Sequence, residues 1–233
     1  MNVAKYCLRI AFRLKGRQVA SEALPEIRSP IDSDVLPDEW IKIRPVSGPG
    51  MLGLVEQIVL AMIVVRRRPS VMFEIGTYLG ATSVLLAANS PPHARVYTLD
   101  LQPTKEGRLT RFPQTAKSII VGSPRVGELF RNSTSSHKIV QLLGDSATYD
   151  FSPYFGQVSL VFVDGNHQYD NVKADSYNAL ELIAPGGMII WHDYETEYGP
   201  DVVRCLNELG RSLPLCRIRD TRFVIYTKGE VEW

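Results

Sequence analysis

Cysteine is scarce in this chain: Cys7, Cys205 and Cys216 are the three among 233 residues. They show no metal-ligand spacing and make no even disulfide set, so a reducing cytoplasm is the expected setting. Neither sign of charge prevails. With 26 Lys+Arg against 25 Asp+Glu the formal net charge is +1, which gives no general attraction to nucleic acid. No apolar run approaches the roughly 20 residues a helix needs to cross a bilayer. Basic residues interrupt the first apolar stretch, so no secretory leader is expected. Internal repeats and low-complexity tracts are also missing. Two nucleotide signatures fail as well. No Gly-x-x-x-x-Gly-Lys-Ser/Thr run occurs, and Tyr78 stands where a dinucleotide fingerprint needs its middle glycine.

What remains is an ordinary composition for a single α/β unit with a large core, 45% hydrophobic and 22% charged. Its most informative stretch is Val71-Met-Phe-Glu-Ile-Gly-Thr-Tyr-Leu-Gly80. A β-prone run ends at Glu74–Ile75, two glycines follow four positions apart, and a helical pattern begins. A strand turning sharply into a helix leaves backbone N–H groups that attract an anionic group. Gly76 allows the turn and Gly80 a close approach. Glu74, at the strand tip, can accept from an ammonium or hydroxyl. The implied ligand has a negative and a positive end, as an amino acid does.

Four further strand candidates repeat the theme. Arg95–Asp100 ends in Asp100, 26 positions after Glu74, near the spacing at which an acid binds a ribose. Ile139–Leu143 leads to Gly-Asp145-Ser146, Val158–Val163 to Asp164-Gly-Asn-His167, and Gly187–Trp191 to His192-Asp193-Tyr194. Packing does not call for five strands that each end in a carboxylate. In an open parallel sheet those ends line one ligand crevice.

Around these strands the spacing predicts an amphipathic basic helix over 2–18, a proline-rich extended connector over 25–49 and a helix over about 52–67 closed by Arg66-Arg-Arg68. The long segment 101–136, rich in Pro, Gly, Ser, Thr and Arg, should overhang the crevice as a lid, or else serve as a plain connector. A helix is expected over 201–209, then a hairpin of 215–219 and 222–227 around Asp220-Thr221. Asp175 and Glu181 are placed on a solvated helix face. The division expected is residues 1–50 as N-terminal helix and extension and 51–233 as the main domain.

The run Phe-Glu-Ile-Gly-Thr-Tyr-Leu-Gly, with Tyr-Thr-Leu-Asp, Gly-Asp-Ser, Val-Asp-Gly-Asn-His-Gln-Tyr and Pro-Gly-Gly-Met-Ile-Ile-Trp-His-Asp-Tyr, resembles the Rossmann-like, class I S-adenosylmethionine-dependent methyltransferases. Within them it is most similar to the bacterial small-molecule and sugar O-methyltransferases. The resemblance spans about Leu52 to Lys228. It implies a doubly wound, mostly parallel seven-stranded sheet with a C-terminal antiparallel hairpin. It also implies S-adenosylmethionine as cofactor, held by Glu74, Gly76, Thr77, Tyr78, Gly80, Asp100, Asp145, Ser146 and Asp164. Asp145 and Ser146 correspond to adenine-side contacts, with a helix cap as the plain alternative.

At the acceptor end stand Asp164, His167, His192 and Asp193, with Asp164, His192 and Asp193 as the catalytic set. The same three are the expected metal ligands, for Mg, Mn or Fe. The resembled sugar enzymes carry two acids in succession after the fifth strand, and His192 replaces the first here. Magnesium prefers oxygen ligands, whereas imidazole suits softer metals. Three roles for His192 stay open: general base, metal ligand, or a histidine hydrogen-bonded at a strand end without chemistry. His167 is the weaker candidate, because a loop position allows a plainly solvated side chain as the alternative.

The function implied is O-methylation of a small molecule such as a sugar or natural-product intermediate. The alternatives are a metal-dependent hydroxylase-like enzyme on the same fold and a non-catalytic S-adenosylmethionine-binding module. A small-molecule acceptor is the expected partner, and the N-terminal helix is expected to dock on its own domain or a homodimer partner in preference to a membrane surface.

Overall fold

The structure, a computed structural model, describes residues 23–29, 40–103, 108–111, 118–121 and 125–229. The helix expected over 2–18 lies outside them. In chain order the elements are β1 (Glu26–Ile27), α1 (Leu54–Arg67), β2 (Val71–Ile75), α2 (Ala81–Asn89), β3 (Arg95–Asp100), β4 (Arg108–Arg111), β5 (Ser118–Val121), α3 (Glu128–Arg131), β6 (Ile139–Leu143), β7 (Val158–Val163), α4 (Tyr169–Leu182), β8 (Ile183–Trp191), α5 (Pro200–Leu209), β9 (Cys216–Ile218) and β10 (Val224–Thr227).

The strands alternate their side chains between two apolar layers, which is why helices cover both faces. Met72, Val96, Phe162, Met188 and Ile190 point to one layer, with Val59, Leu60, Ile63 and Val64 of α1 and Leu86 of α2. Their neighbours Phe73, Val161, Val163, Ile189 and Trp191 point to the other, with Val172 and Leu182 of α4 and Leu206 of α5. Every residue of α1 from Val59 to Val65 is buried. Segment 40–52 closes over this helix: Ile41 and Ile43 pack on its layer, and the Gln57 side-chain amide donates to the carbonyls of Val46 (2.9 Å) and Leu52 (2.8 Å).

The main sheet runs β1-β9-β10-β8-β7-β2-β3-β6. β2 pairs in parallel with β3 and β7, β3 with β6, and β7 with β8. β10 is antiparallel to β8 and β9, so the expected C-terminal hairpin is present. The chain leaves β2 toward β3 and β6 on one side and returns to β7 and β8 on the other. The crevice of such a sheet opens where the order reverses, at the carboxyl ends of β2 and β7.

Two expectations about the sheet are corrected. It holds eight strands rather than seven, because β1, inside the supposed connector, pairs in parallel with β9. Ile27 is buried in the α1 layer, and Glu26 binds Arg219 at 2.9 Å. A β9 edge would otherwise keep unpaired N–H groups. Those of Arg217 and Arg219 instead donate to the carbonyls of Pro25 and Ile27. In addition β8 begins at Ile183, four residues before Gly187.

Segment 101–136 contains an antiparallel β4–β5 pair and the short α3, and its remaining described parts are turns and irregular backbone leading into a 3-10 turn at Ser136–Lys138. Cys205 is a buried free thiol, whereas Cys216 is disulfide-bonded. An odd cysteine count thus leaves room for one disulfide, and the count by itself does not fix the compartment. Among the described residues no helix is long and apolar enough to cross a membrane.

Candidate active site

The turn after β2 is built so tightly that a side chain at Gly76 is impossible. Its φ is +99°, and a Cβ there would lie 2.1 Å from the carbonyl oxygen of Asp164. The Asp164 N–H donates to the Ile75 carbonyl at 2.8 Å. The tips of β2 and β7 are thus locked together, and the glycine turn and Asp164 share one wall of the crevice.

Asp100, at the tip of β3, folds toward the same turn. Its Oδ2 accepts from the backbone N–H groups of Thr77 (3.1 Å) and Tyr78 (2.7 Å), and its Oδ1 from Leu101 N–H (2.7 Å). The turn N–H groups expected to meet an anionic ligand thus include two, those of Thr77 and Tyr78, that meet Asp100. The protein's own carboxylate holds them, and Asp100 is thereby oriented at the point where a ribose is expected. Burial raises its pKa in spite of these bonds.

Glu74 is not an open strand tip as expected; it is 1% exposed. Its Oε2 accepts from the hydroxyls of Ser83 and Thr98, the latter at 2.5 Å, while its buried Oε1 has no hydrogen-bond partner. Burial pushes its pKa up to about 8, so the carboxyl is largely protonated at neutral pH. Thr77 also points inward, its hydroxyl 2.7 Å from that of Thr98 and 3.1 Å from the Gln141 amide.

Tyr78 takes the left-handed conformation (φ 47°), and its ring packs against Gly50 of the segment before α1. At Gly80 (φ +83°) the close neighbour is the ring of Phe130, 2.5 Å from where a Cβ would be. Two backbone bonds fix that contact: Gly127 N–H donates to the Tyr78 carbonyl and Leu129 N–H to that of Leu79, both at 2.9 Å. Asp145 and Ser146 follow β6 as an exposed and a half-buried residue. Asp145 Oδ1 caps its own turn by accepting from Ala147 N–H at 3.0 Å.

At the tips of β7 and β8 the expected catalytic residues come together. His192 Nδ1 lies 3.1 Å from Asp164 Oδ1 and 3.5 Å from Asp193 Oδ1, and its Nε2 lies 3.3 Å from Glu56 Oε2. His192 is 6% exposed, and its ring clusters with those of Phe162 and Phe223. Burial alone would lower its pKa, but Asp164 and Asp193 raise it to about 10.

With Nδ1 held against Asp164 and Nε2 against Glu56, His192 has no ring nitrogen left to serve as base or ligand. That geometry favours the plain reading of His192 and leaves the expected metal set short of a nitrogen. His167 supplies one. Against the solvated alternative, its side chain is 15% exposed, with Nε2 3.0 Å from Asp193 Oδ2 and 3.9 Å from Asp164 Oδ1. One ligand atom each from Asp164, His167 and Asp193 lie within 4.8 Å of one another. Against burial, the two carboxylates raise His167 to about 9, while the two histidines hold Asp164 down at about 2.

Asp193 is left-handed (φ 57°), a conformation that costs about 1–2 kcal/mol and that aspartate tolerates better than most residues. Its Oδ1 accepts from Arg222 at 2.7 Å. Arg222 also reaches Glu56 through its backbone N–H, Nε and NH2 at 3.0, 3.1 and 3.0 Å. Burial opposes ionisation of Glu56, but His192 and Arg222 keep its pKa well below the usual range.

Neither Glu56 nor Arg222 was a candidate from sequence. The one available signal was an acid in the first turn of an otherwise apolar helix. Asp175, assigned to a solvated face, is 1% exposed beneath Gly165, and burial raises its pKa to about 6. Glu181 is exposed as expected.

A family model described as a methyltransferase domain matches residues 73–194. No curated protein matches the chain. Among solved structures the chain is similar to the O-methyltransferase TomG from Streptomyces achromogenes, involved in tomaymycin synthesis and in complex with S-adenosylmethionine, at 18% identity over 77% of this chain and 82% of that one, TM-score 0.53. An O-methyltransferase from Bacillus cereus with S-adenosylhomocysteine aligns over 78% and 84% at 14% identity, TM-score 0.56. The S-adenosylhomocysteine-bound methyltransferase PaMTH1 from Podospora anserina aligns over 77% and 80% at 14% identity, TM-score 0.55. At these identities the likeness is one of fold.

Proposed function

The chain belongs to the methyltransferase domain family, and from that premise we propose that it is an S-adenosylmethionine-dependent O-methyltransferase acting on a hydroxyl of a small molecule. The observation that carries the reading is the continuity of two half-sites. The Gly76 turn with Asp100 forms a cofactor half, and its contact with the Asp164 carbonyl places it beside the Asp164–His167–Asp193 group.

In the cofactor half, Asp100 receives the ribose hydroxyls and the turn 76–80 the amino-acid end, with Asp145 and Ser146 toward the adenine. Residues 51–233 form the catalytic unit, with β1 from the preceding segment completing the sheet edge. A sulfonium donor carries its own leaving group, so the protein's main task is an in-line approach, and fixing two reactants can contribute about 7–11 kcal/mol.

Asp164, His167 and Asp193 offer two oxygens and a nitrogen that converge, a donor set that fits a divalent ion of the manganese or iron type better than magnesium. When bound, such a cation supplies a lowered pKa at the acceptor hydroxyl. One imidazole and two carboxylates differ from the two-histidine, one-carboxylate set of iron oxygenases, which weighs against the hydroxylase alternative. The chain's own residues orient the acceptor at Asp164 and Asp193, and the cluster of the Phe162, His192 and Phe223 rings keeps water from the tips of β7 and β8.

Isothermal titration with S-adenosylmethionine tests the reading. Saturable binding, followed by transfer of labelled methyl to a member of a hydroxylated metabolite panel, is the expected result. A wild-type protein that binds no S-adenosylmethionine would rule the proposal out.

A further inference from the structure

Four buried or half-buried charged side chains close a ring beside the acceptor end, His192 to Glu56, Glu56 to Arg222, Arg222 to Asp193 and Asp193 back to His192, and Asp164 joins it at His192. Two of its members, Glu56 and Arg222, lie outside the 73–194 family match and come from elements that do not form the crevice: the first turn of α1 and the β9–β10 turn. The geometry points to Glu56 and Arg222 as positioning residues that hold Asp193 and His192 so that Asp164, His167 and Asp193 converge on one cation. The inference rests on the reading of that group as the acceptor end of a methyltransferase.

Arg222 grips the tip of β8 at two points. Its NH1 donates to Asp193 Oδ1 at 2.7 Å, and its carbonyl accepts from Tyr194 N–H at 3.0 Å. Glu56 in turn fixes Arg222 with three bonds, and Gly53 N–H donates to the same carboxylate at 2.9 Å. The Asp193 carboxylate therefore has one oxygen tied to the clamp and the other, Oδ2, directed to His167. His192 is fixed from both sides and so cannot swing toward the cation group in place of His167.

Burying such a network is poor economy for stability alone, since well-packed apolar side chains serve a core at least as well. Its geometric use is clearer. Hydrogen-bond partners behind metal ligands set ligand orientation, and losing one typically weakens metal binding about ten- to hundredfold. Glu56 and Arg222 also line an open cavity of about 450 Å³ with Gly53, Leu54, Arg217 and Asp220, so solvent reaches the outer side of the clamp.

The test uses the full chain with manganese alone as probe, followed by electron paramagnetic resonance, with S-adenosylmethionine titration run in parallel. Glu56→Gln and Arg222→Met are expected to lose about ten- to hundredfold in manganese affinity while S-adenosylmethionine affinity stays at the wild-type value. Arg222→Lys, whose single ammonium meets Glu56 or Asp193 but not both in a fork, is expected to fall between, and it carries the test if Arg222→Met does not fold. Nitrogen-15 histidine resonances supply a second readout: Glu56→Gln should shift the His192 Nε2 signal and, through the loosened tip of β8, that of His167. Wild-type manganese affinity in folded Glu56→Gln and Arg222→Lys, or no manganese binding by the wild type, overturns the inference. Loss of S-adenosylmethionine binding by the wild type strikes the functional reading instead, so the two failures are distinct.

Discussion

The carbonyl oxygen of Asp164 occupies the space that any side chain at Gly76 would need, 2.1 Å from its would-be Cβ. Gly76→Ala therefore has to separate the tips of β2 and β7 and also accept a φ of +99°. Left-handed strain and overpacking together amount to about 2–5 kcal/mol. Urea unfolding should show a loss of that size, with weakened S-adenosylmethionine binding in the protein that remains folded. Wild-type stability in Gly76→Ala would contradict the packing described.

Glu74 ties stability to pH. Its folded value of about 8 lies above the ordinary 4.5 because of burial, so between those values the folded protein holds a proton that the unfolded chain has released. Stability accordingly falls as pH rises through that window, by up to about 1.4 kcal/mol per unit, and the contribution is fully present only below the lower value. The difference between wild type and Glu74→Gln, measured by denaturation across pH, isolates this slope from those of the histidines. A parallel pair of curves would refute it.

Asp100→Ala leaves three backbone N–H groups, those of Thr77, Tyr78 and Leu101, without their acceptor. The expected cost is about 1–3 kcal/mol of stability. A drop in S-adenosylmethionine affinity of about tenfold or more, or ~1.4 kcal/mol, should accompany it. Asp145→Ala, by contrast, removes a cap from one exposed turn and should leave the fold intact.

Cation binding at Asp164, His167 and Asp193 should depend on pH in a set direction. His167 is raised to about 9 and must lose its proton to become a ligand. Manganese affinity should therefore climb by up to about tenfold per unit toward that value and level off beyond it, with proton release on binding. Calorimetry in buffers of different ionisation enthalpy measures the released proton. An affinity independent of pH would exclude His167 from the ligand set.

The sheet and its crevice were legible because they rest on local rules. Apolar runs such as Val158–Val163 read as strands, acids at their ends read as a crevice, and two alternating runs around Asp220-Thr221 read as a hairpin. What sequence did not disclose depended on contacts made across long separations. β1 is a strand only because β9 offers an edge. Asp175 is buried because Gly165 leaves room above it. His192 changes from candidate base to fixed cation because Glu56, 136 positions away, meets its second nitrogen. An acid in the first turn of α1 looks like an ordinary dipole partner until Arg222 is seen beside it.

The bonds from Gly127 and Leu129 to Tyr78 and Leu79, with Phe130 seated on Gly80, make α3 and the cofactor turn a single mechanical unit. A displacement of α3 is transmitted directly to the peptide groups that Asp100 orients. Amide exchange at Gly127 and Leu129 should therefore slow in step with that at Tyr78 when S-adenosylmethionine is added, giving a report on cofactor occupancy from outside the pocket.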